Sequence, residues 1–123
     1  MASSVTFPGT SIPSMFVDVA KTPSELSNGL SNRTLLAPRT GMLFIFPNVA
    51  VHSMWMPNMN FPLDIVWINE AKQIVKIEPN VSPCSGNKNC KNYSSDIPIK
   101  YAIEMNAGYA AKIGLRVGLK VAF

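Results

Sequence analysis

A chain of 123 residues with 47% hydrophobic and 15% charged residues is predicted to fold as one compact domain, and this composition argues against disorder. No apolar run approaches the roughly 20 residues of a membrane-spanning helix. The net charge of +4 is scattered along the chain, which favours a solvated surface over a nucleic-acid interface with its basic stripe.

Residues 1–12 are predicted to be a flexible N-terminal segment or a remnant of expression, and residues 13–123 a single globular domain. The start of the chain lacks the basic and apolar parts of a signal peptide, which fits either a cytosolic protein or one whose leader has been removed. Residues 13–20 alternate in polarity and predict a strand. A helix should follow, with Thr22 as N-cap, Glu25 completing a capping box, and an end near residues 34–36.

The middle of the chain is predicted to be β-structure. Residues 41–46 and 50–56 are two apolar runs on either side of a predicted turn at Pro47-Asn48. Residues 63–69 and 73–78 predict a hairpin.

Residues 79–99 are rich in Pro, Ser and Asn and predict one long loop containing both cysteines, Cys84 and Cys90. A disulfide would close a short loop there and favours an oxidising compartment or the interior of a thermophile. Free thiols remain an alternative. A metal site would need more ligands than one histidine supplies, and the spacing differs from that of a redox Cys-x-x-Cys pair.

The C-terminal quarter predicts a strand over residues 100–106, a short helix over 107–113 and a last strand over 115–123. Asn106 would cap the helix and Gly114 would end it. The fold class is therefore α+β, mostly antiparallel, with roughly seven strands and two short helices. A half-open or closed small barrel would limit exposed sheet edges.

Asp64 and Glu104 each interrupt an apolar strand, so both are predicted to be partly buried. Two carboxylates about 5–10 Å apart could act as general acid and base on a glycosidic bond, but either could instead bind backbone groups or pair with Arg33. His52 is the only histidine, and without a nucleophile motif it is interpreted as structural. An aromatic and methionine cluster predicts either core or an adaptable apolar pocket, and its members are Trp55, Trp67, Met54, Met56 and Met59.

Several short motifs occur in an order that resembles one prokaryotic family, the uncharacterised domain of unknown function 192. They are Gly29-Leu30-Ser31-Asn32-Arg33, Gly41-Met42-Leu43-Phe44, Trp55-Met56-Pro57-Asn58, Pro62-Leu63-Asp64-Ile65, Pro83-Cys84 with Tyr93, and Glu104 with Ala107-Gly108. The resemblance covers residues 15–123. It implies a small domain, often exported behind a leader or membrane anchor, with no established reaction. Members commonly differ at Ser31, Pro57 and Met59.

We therefore predict a monomeric, extracytoplasmic binding or accessory module without cofactor or metal. The candidate ligand site is a polar cleft with Arg33 as counter-ion, and its residues are Arg33, Trp55, Asn58, Asp64, Tyr93 and Glu104. Its ligand would be a small molecule, peptide or glycan, and no nucleic acid is expected. The alternative function is a hydrolase of glycan or cell-wall material that uses Glu104 and Asp64.

Overall fold

The computed structural model describes residues 2–30, 36–54, 60–83 and 91–123. Its elements in chain order are β1 (Ala2–Val5), β2 (Met15–Ala20), α1 (Pro23–Asn28), β3 (Thr40–Ala50), β4 (Ser53–Met54), β5 (Leu63–Ile68), β6 (Ile74–Val81), β7 (Tyr93–Ser94), β8 (Ile99–Asn106) and α2 (Tyr109–Ile113). No helix among these residues is long and apolar enough to cross a membrane.

Six strands form one sheet in the order β1-β2-β3-β8-β5-β6, and β4 pairs with β7 in a small separate ladder. The large sheet is antiparallel except between β2 and β3, which run parallel with α1 between them. The prediction of a mainly antiparallel α+β fold with two short helices is confirmed. The sheet is open, so a closed barrel is wrong.

Both faces of this sheet are buried. One face, here called the α2 face, packs against α2 and the C-terminal segment, and its core includes Leu43, Val66, Ile103 and Met105. The other, here called the α1 face, is covered by residues of α1, β4 and β7. Its core residues are Ala20, Leu30, Met42, Phe44, Phe46, Leu63, Ile65, Trp67, Val81, Ile99 and Ala102. Burial on both sides explains why all six residues of β5 are buried.

The capping box predicted for α1 is present. The Glu25 backbone N–H donates to the Thr22 hydroxyl, and the Thr22 N–H donates to the Glu25 carboxylate. The predicted end at residues 34–36 is wrong, because Gly29 already caps the helix with a positive φ of 49°. Glycine adopts this conformation without the cost that a Cβ would bring.

Two predicted boundaries in the middle of the chain are also wrong. β3 runs through Pro47-Asn48 instead of turning there, because a register shift between Ile45 and Ala50 accommodates the proline. Residues 79–99 are not one loop, since β6 continues to Val81 and β7 lies within this range. The hairpin between β5 and β6 is confirmed.

The N-terminal residues pack into the domain, in contrast to the predicted flexible segment. β1 pairs with β2, and the Val5 and Phe7 side chains are buried. Thr6 and Ala122 exchange backbone hydrogen bonds of 2.9 Å in both directions. Two apolar side chains in a polar stretch were too weak a pattern to predict this strand.

The C-terminal segment forms no regular strand, although its apolar alternation predicted one. Within the described residues its β-pairing consists of isolated bridges to Thr6 and Gln73. Gly118, with φ of 98°, turns the chain, and Val117 is 61% exposed while Leu119 is buried. The turn therefore breaks the alternation at its centre. The terminal Phe123 still packs on the protein, with the Lys72 Nζ 4.2 Å from its ring centroid.

Gly41 allows β3 and β8 to approach closely. A Cβ at this position would lie 2.5 Å from the backbone oxygen of Glu104. We expect Gly41→Ala to lower the free energy of unfolding by about 1–3 kcal/mol, because the strands must move apart to accept the methyl group. Urea denaturation measures this, with Ser3→Ala as an exposed-strand control. Equal stability of the two variants would contradict the prediction.

Candidate functional site

Asp64 is a buried carboxylate whose hydrogen bonds are made by the backbone. Its Oδ1 accepts the N–H groups of Asn80 at 2.8 Å and Gly108 at 3.1 Å, and its Oδ2 accepts that of Ala110 at 3.0 Å. Gly108 is the N-cap of α2, and as a glycine it has no side chain that could accept a hydrogen bond from the helix. Asp64 therefore caps α2 from a neighbouring strand and ties β6 to the same point. The predicted cap, Asn106, instead donates its side-chain amide to the Leu36 carbonyl at 2.9 Å.

Glu104 is a buried carboxylate of a different kind. It is 5% exposed, and within the described residues no hydrogen bond reaches its carboxylate. Removal from water disfavours the charged form, so burial raises the pKa of Glu104 to about 7. Its charge state therefore changes near neutral pH, and no hydrogen bond within the described residues offsets the cost of burying the charge.

The sheet register separates these two carboxylates. Glu104 pairs with Ile65, whereas Asp64 pairs with Met105. Paired residues project from the same side of a sheet, and successive residues alternate. Glu104 therefore lies on the α1 face and Asp64 on the α2 face. The hydrolase hypothesis, in which both would act on one bond, is wrong.

A cleft of about 280 Å³ lies on the α1 face, between α1 and strands β2 and β3. It is lined by Asp18, Val19, Ala20, Glu25, Asn28, Gly29 and Met42. β2 and β3 supply its apolar part, and α1 supplies most of its polar part. The parallel β2-α1-β3 unit thus builds this cleft almost alone.

Glu104 lies directly behind the cleft. It is the cross-strand partner of Met42, and Met42 in turn pairs with Asp18 of β2. The Glu104 Oε1 atom is 3.8 Å from the point at which a Cβ on Gly29 would stand. The absence of a side chain at Gly29 therefore leaves the Glu104 carboxylate beside the wall of the cleft.

The cleft is acidic although the protein is basic. Of the seven carboxylate side chains in the sequence, Asp18 and Glu25 line the cleft and Glu104 lies behind it. The Glu25 Oε1 atom accepts the N–H groups of Lys21 and Thr22, and these bonds lower the pKa of Glu25. Glu25 is thereby held in position as an anion at neutral pH. Among the described residues, no group of three His, Cys, Asp or Glu side chains could hold a metal ion.

Of the predicted ligand-site residues, the structure describes Asp64, Tyr93 and Glu104. Arg33, Trp55, Asn58 and the cysteine pair Cys84 and Cys90 lie outside the described residues. Tyr93 is half-buried against the core of the α1 face, with the Lys91 Nζ 5.1 Å from its ring centroid. Tyr93 does not line the cleft.

Two other residues considered from the sequence have clear surroundings. His52 stacks on Phe46 with ring centroids 4.2 Å apart, and its Nε2 lies 2.9 Å from the Asn48 carbonyl oxygen, which supports the structural interpretation. Trp67 is fully buried, which places it in the core.

The cleft residues were not predicted as site residues from the sequence, and they include Asp18, Glu25, Asn28, Gly29 and Met42. Two signals for them were present. Asp18 is the only charged residue of its strand, and Glu25 belongs to a recognised capping box. What could not be predicted is that β2 and β3 are parallel neighbours, which brings both signals to one place.

The fold and the cleft define a small α+β protein built on an open six-stranded sheet with an acidic cleft beneath its crossover helix. The chain matches the family described as domain of unknown function 192, "Uncharacterized ACR", over residues 5–123, and it belongs to that family. No curated protein matches it.

Two solved structures are similar to the whole chain. A protein described as a proposed transcription regulator from Sinorhizobium meliloti 1021 is 30% identical, with a TM-score of 0.90, over 99% of this chain and 93% of its own. A protein of unknown function from Novosphingobium aromaticivorans DSM 12444 is 27% identical, with a TM-score of 0.87, over 99% of this chain and 85% of its own. These neighbours support the fold and leave the activity open.

Proposed function

We propose that this protein is an extracytoplasmic binding module that holds a small molecule, or one side chain of a peptide, in the cleft between α1 and the sheet. The volume of about 280 Å³ is at the low end of the range for ligand pockets, roughly 300–1,000 Å³. A long glycan or an extended peptide would therefore fit only in part.

The observation that carries this proposal is the contrast between the two buried carboxylates. Asp64 accepts three backbone hydrogen bonds and contributes to the fold. Glu104 is also buried, accepts no hydrogen bond within the described residues, and has its Oε1 beside Gly29, which lines the cleft together with Asp18 and Glu25. A buried polar group that lowers stability and makes no stabilising hydrogen bond is expected at functional sites.

The extracytoplasmic location is proposed from the sequence. Cys84 and Cys90 are the only cysteines and lie in a polar, turn-rich segment, where a disulfide is the simplest use for them. A role in regulation, as proposed for the Sinorhizobium protein, would instead predict nucleic-acid binding that weakens steeply with salt. The acidic cleft favours a ligand other than a polyanion.

The test is a thermal-shift screen of small molecules and short peptides against the protein and a variant with a blocked cleft. Asn28→Trp places a large side chain at the mouth of the cleft from an exposed position on α1. Ala111→Trp is the matched control, because it is an exposed position of α2 on the opposite side of the sheet.

We expect at least one compound to raise the melting temperature of the wild type and of Ala111→Trp, but not that of Asn28→Trp. Excess ligand stabilises the folded state by mass action, so a compound at about 100 times its Kd should contribute about 2.7 kcal/mol. A screen without any stabilising compound, or with equal shifts in both variants, would reject the cleft as a binding site.

A further inference from the structure

We infer that the ligand of this cleft carries an organic cation, an ammonium or guanidinium group on a short apolar stem, and that Glu104 makes its binding depend on pH. This inference rests on the proposed function and names the ligand class of the same site. Its first basis is the lining. Asp18 and Glu25 contribute negative charge, whereas Val19, Ala20 and Met42 contribute apolar surface.

The second basis is independent of those exposed acids. Glu104 is 95% buried, its carboxylate has no hydrogen-bond donor among the described residues, and its Oε1 lies against the Gly29 wall of the cleft. A cationic N–H group is a donor that satisfies both the charge and the lone pairs of a buried carboxylate. An anionic ligand would meet the carboxylates of Asp18 and Glu25 in the cleft lining and be repelled.

Glu104 has both acidic and apolar neighbours on the α1 face. From β2 and α1 it is faced by Asp18 and Glu25, and the neighbouring positions of β3 and β5 are Met42 and Ile65, which do not titrate.

Beyond Ile65, β6 carries Glu78, whose Oε1 lies 3.3 Å from the Lys76 Nζ, so this pair is compensated internally. Tyr93 of β7, and His52 stacked on Phe46, are further titratable side chains packed on this face within the described residues. Since burial raises the pKa of Glu104 to about 7, its anion predominates at pH 8 and its neutral acid at pH 6.

The expected pH dependence follows from the fraction of protein in the competent form. If the cation binds the Glu104 anion, the apparent Kd is the intrinsic Kd divided by the ionised fraction. That fraction is roughly 0.1 at pH 6 and roughly 0.9 at pH 8 for a pKa of about 7. The ligand should therefore bind about tenfold more tightly at pH 8.

The experiment follows the methyl NMR signals of Val19, Ala20 and Met42 during titration with n-butylammonium chloride and n-butylguanidinium chloride at pH 6 and pH 8. 1-Butanol and sodium butyrate are the neutral and anionic probes of similar size, and magnesium chloride is the inorganic cation. Glu104→Gln keeps the shape of the side chain and removes its charge, and its own spectrum shows whether it is folded.

We expect both organic cations to shift these signals, with an apparent Kd about tenfold lower at pH 8 than at pH 6, and a loss of that pH dependence in Glu104→Gln. Equal binding of 1-butanol would overturn the inferred charge preference while leaving a functional cleft. Stronger shifts with magnesium would overturn the organic cation in favour of a metal site. A pH dependence retained in Glu104→Gln would overturn the role of that residue. If no probe shifts the signals, the inference fails, and the compound screen with the blocked cleft decides separately on the proposed function.

Discussion

Replacing Asp64 with asparagine is expected to lower the free energy of unfolding by about 3 kcal/mol or more. The Asp64 carboxylate accepts three backbone N–H groups with its two oxygens. Asparagine has one oxygen, and its NH₂ group would face a backbone N–H as a second donor. At least one buried amide then loses its partner, at about 1–3 kcal/mol, and the remaining bonds lose their charge-assisted part.

The effect should be concentrated at the start of α2. This helix has a glycine N-cap without a side-chain acceptor, so Asp64 is the anion nearest to its first N–H groups. Urea denaturation gives the total loss, and hydrogen exchange at the Ala110 amide gives the local part.

Asp96→Asn is the matched control for the loss of a carboxylate. The Asp96 carboxylate lies 2.6 Å from the Lys76 Nζ, but its side chain is 66% exposed. Exposed ion pairs typically contribute 0 to about 1 kcal/mol. A loss in Asp64→Asn no greater than that in Asp96→Asn would contradict the capping role of Asp64.

Replacing Glu104 with glutamine is expected to raise the free energy of unfolding and to remove part of its dependence on pH. In the folded protein the pKa of Glu104 is about 7, against an ordinary value of 4.5. The folded state thus holds a proton that the unfolded state releases between these two pH values. The contribution of Glu104 to the free energy of unfolding therefore falls as pH rises from about 4.5 to about 7, and it stays lower above that range.

The shift corresponds to about 3 kcal/mol, since one pKa unit is about 1.4 kcal/mol. The glutamine variant should be more stable than the wild type at pH 8 by an amount approaching this figure, and the difference should vanish near pH 4.5. Denaturant unfolding of both proteins at several pH values measures the difference, in which the contributions of all other groups cancel. A constant difference between pH 4.5 and pH 8 would show that Glu104 has the same pKa in both states.

The sequence predicted that Asp64 and Glu104 are buried, but it did not predict their different roles. Each is an acidic residue in an apolar strand, and that pattern alone predicted burial for both. The neighbours that distinguish them are distant in the chain: Asp64 meets Gly108 and Ala110, and Glu104 meets Gly29. Local patterns hold no information on which face of the sheet each helix covers.

The same division holds for the fold. The capping box of α1 and the β5–β6 hairpin were predictable because the interacting residues are close in sequence. The end of α1, the long β3 and the irregular C-terminal segment were mispredicted because a glycine or a bulge with a particular backbone conformation overrides apolar periodicity. The parallel pairing of β2 and β3, on which the cleft depends, has no local signal.

The paired hydrogen bonds between Thr6 and Ala122 have a consequence for how this protein opens. The outermost strand is fastened by β2 along one side and by the C-terminal segment at its end, and Phe123 is fixed in turn by Lys72 and Tyr101. Detaching β1 therefore removes a hydrogen-bonded partner of the C-terminal segment, and the reverse also holds. β1 and the C-terminal segment should therefore unfold locally as one cooperative unit. The free energy of this opening should be larger than that of separate fraying at each segment.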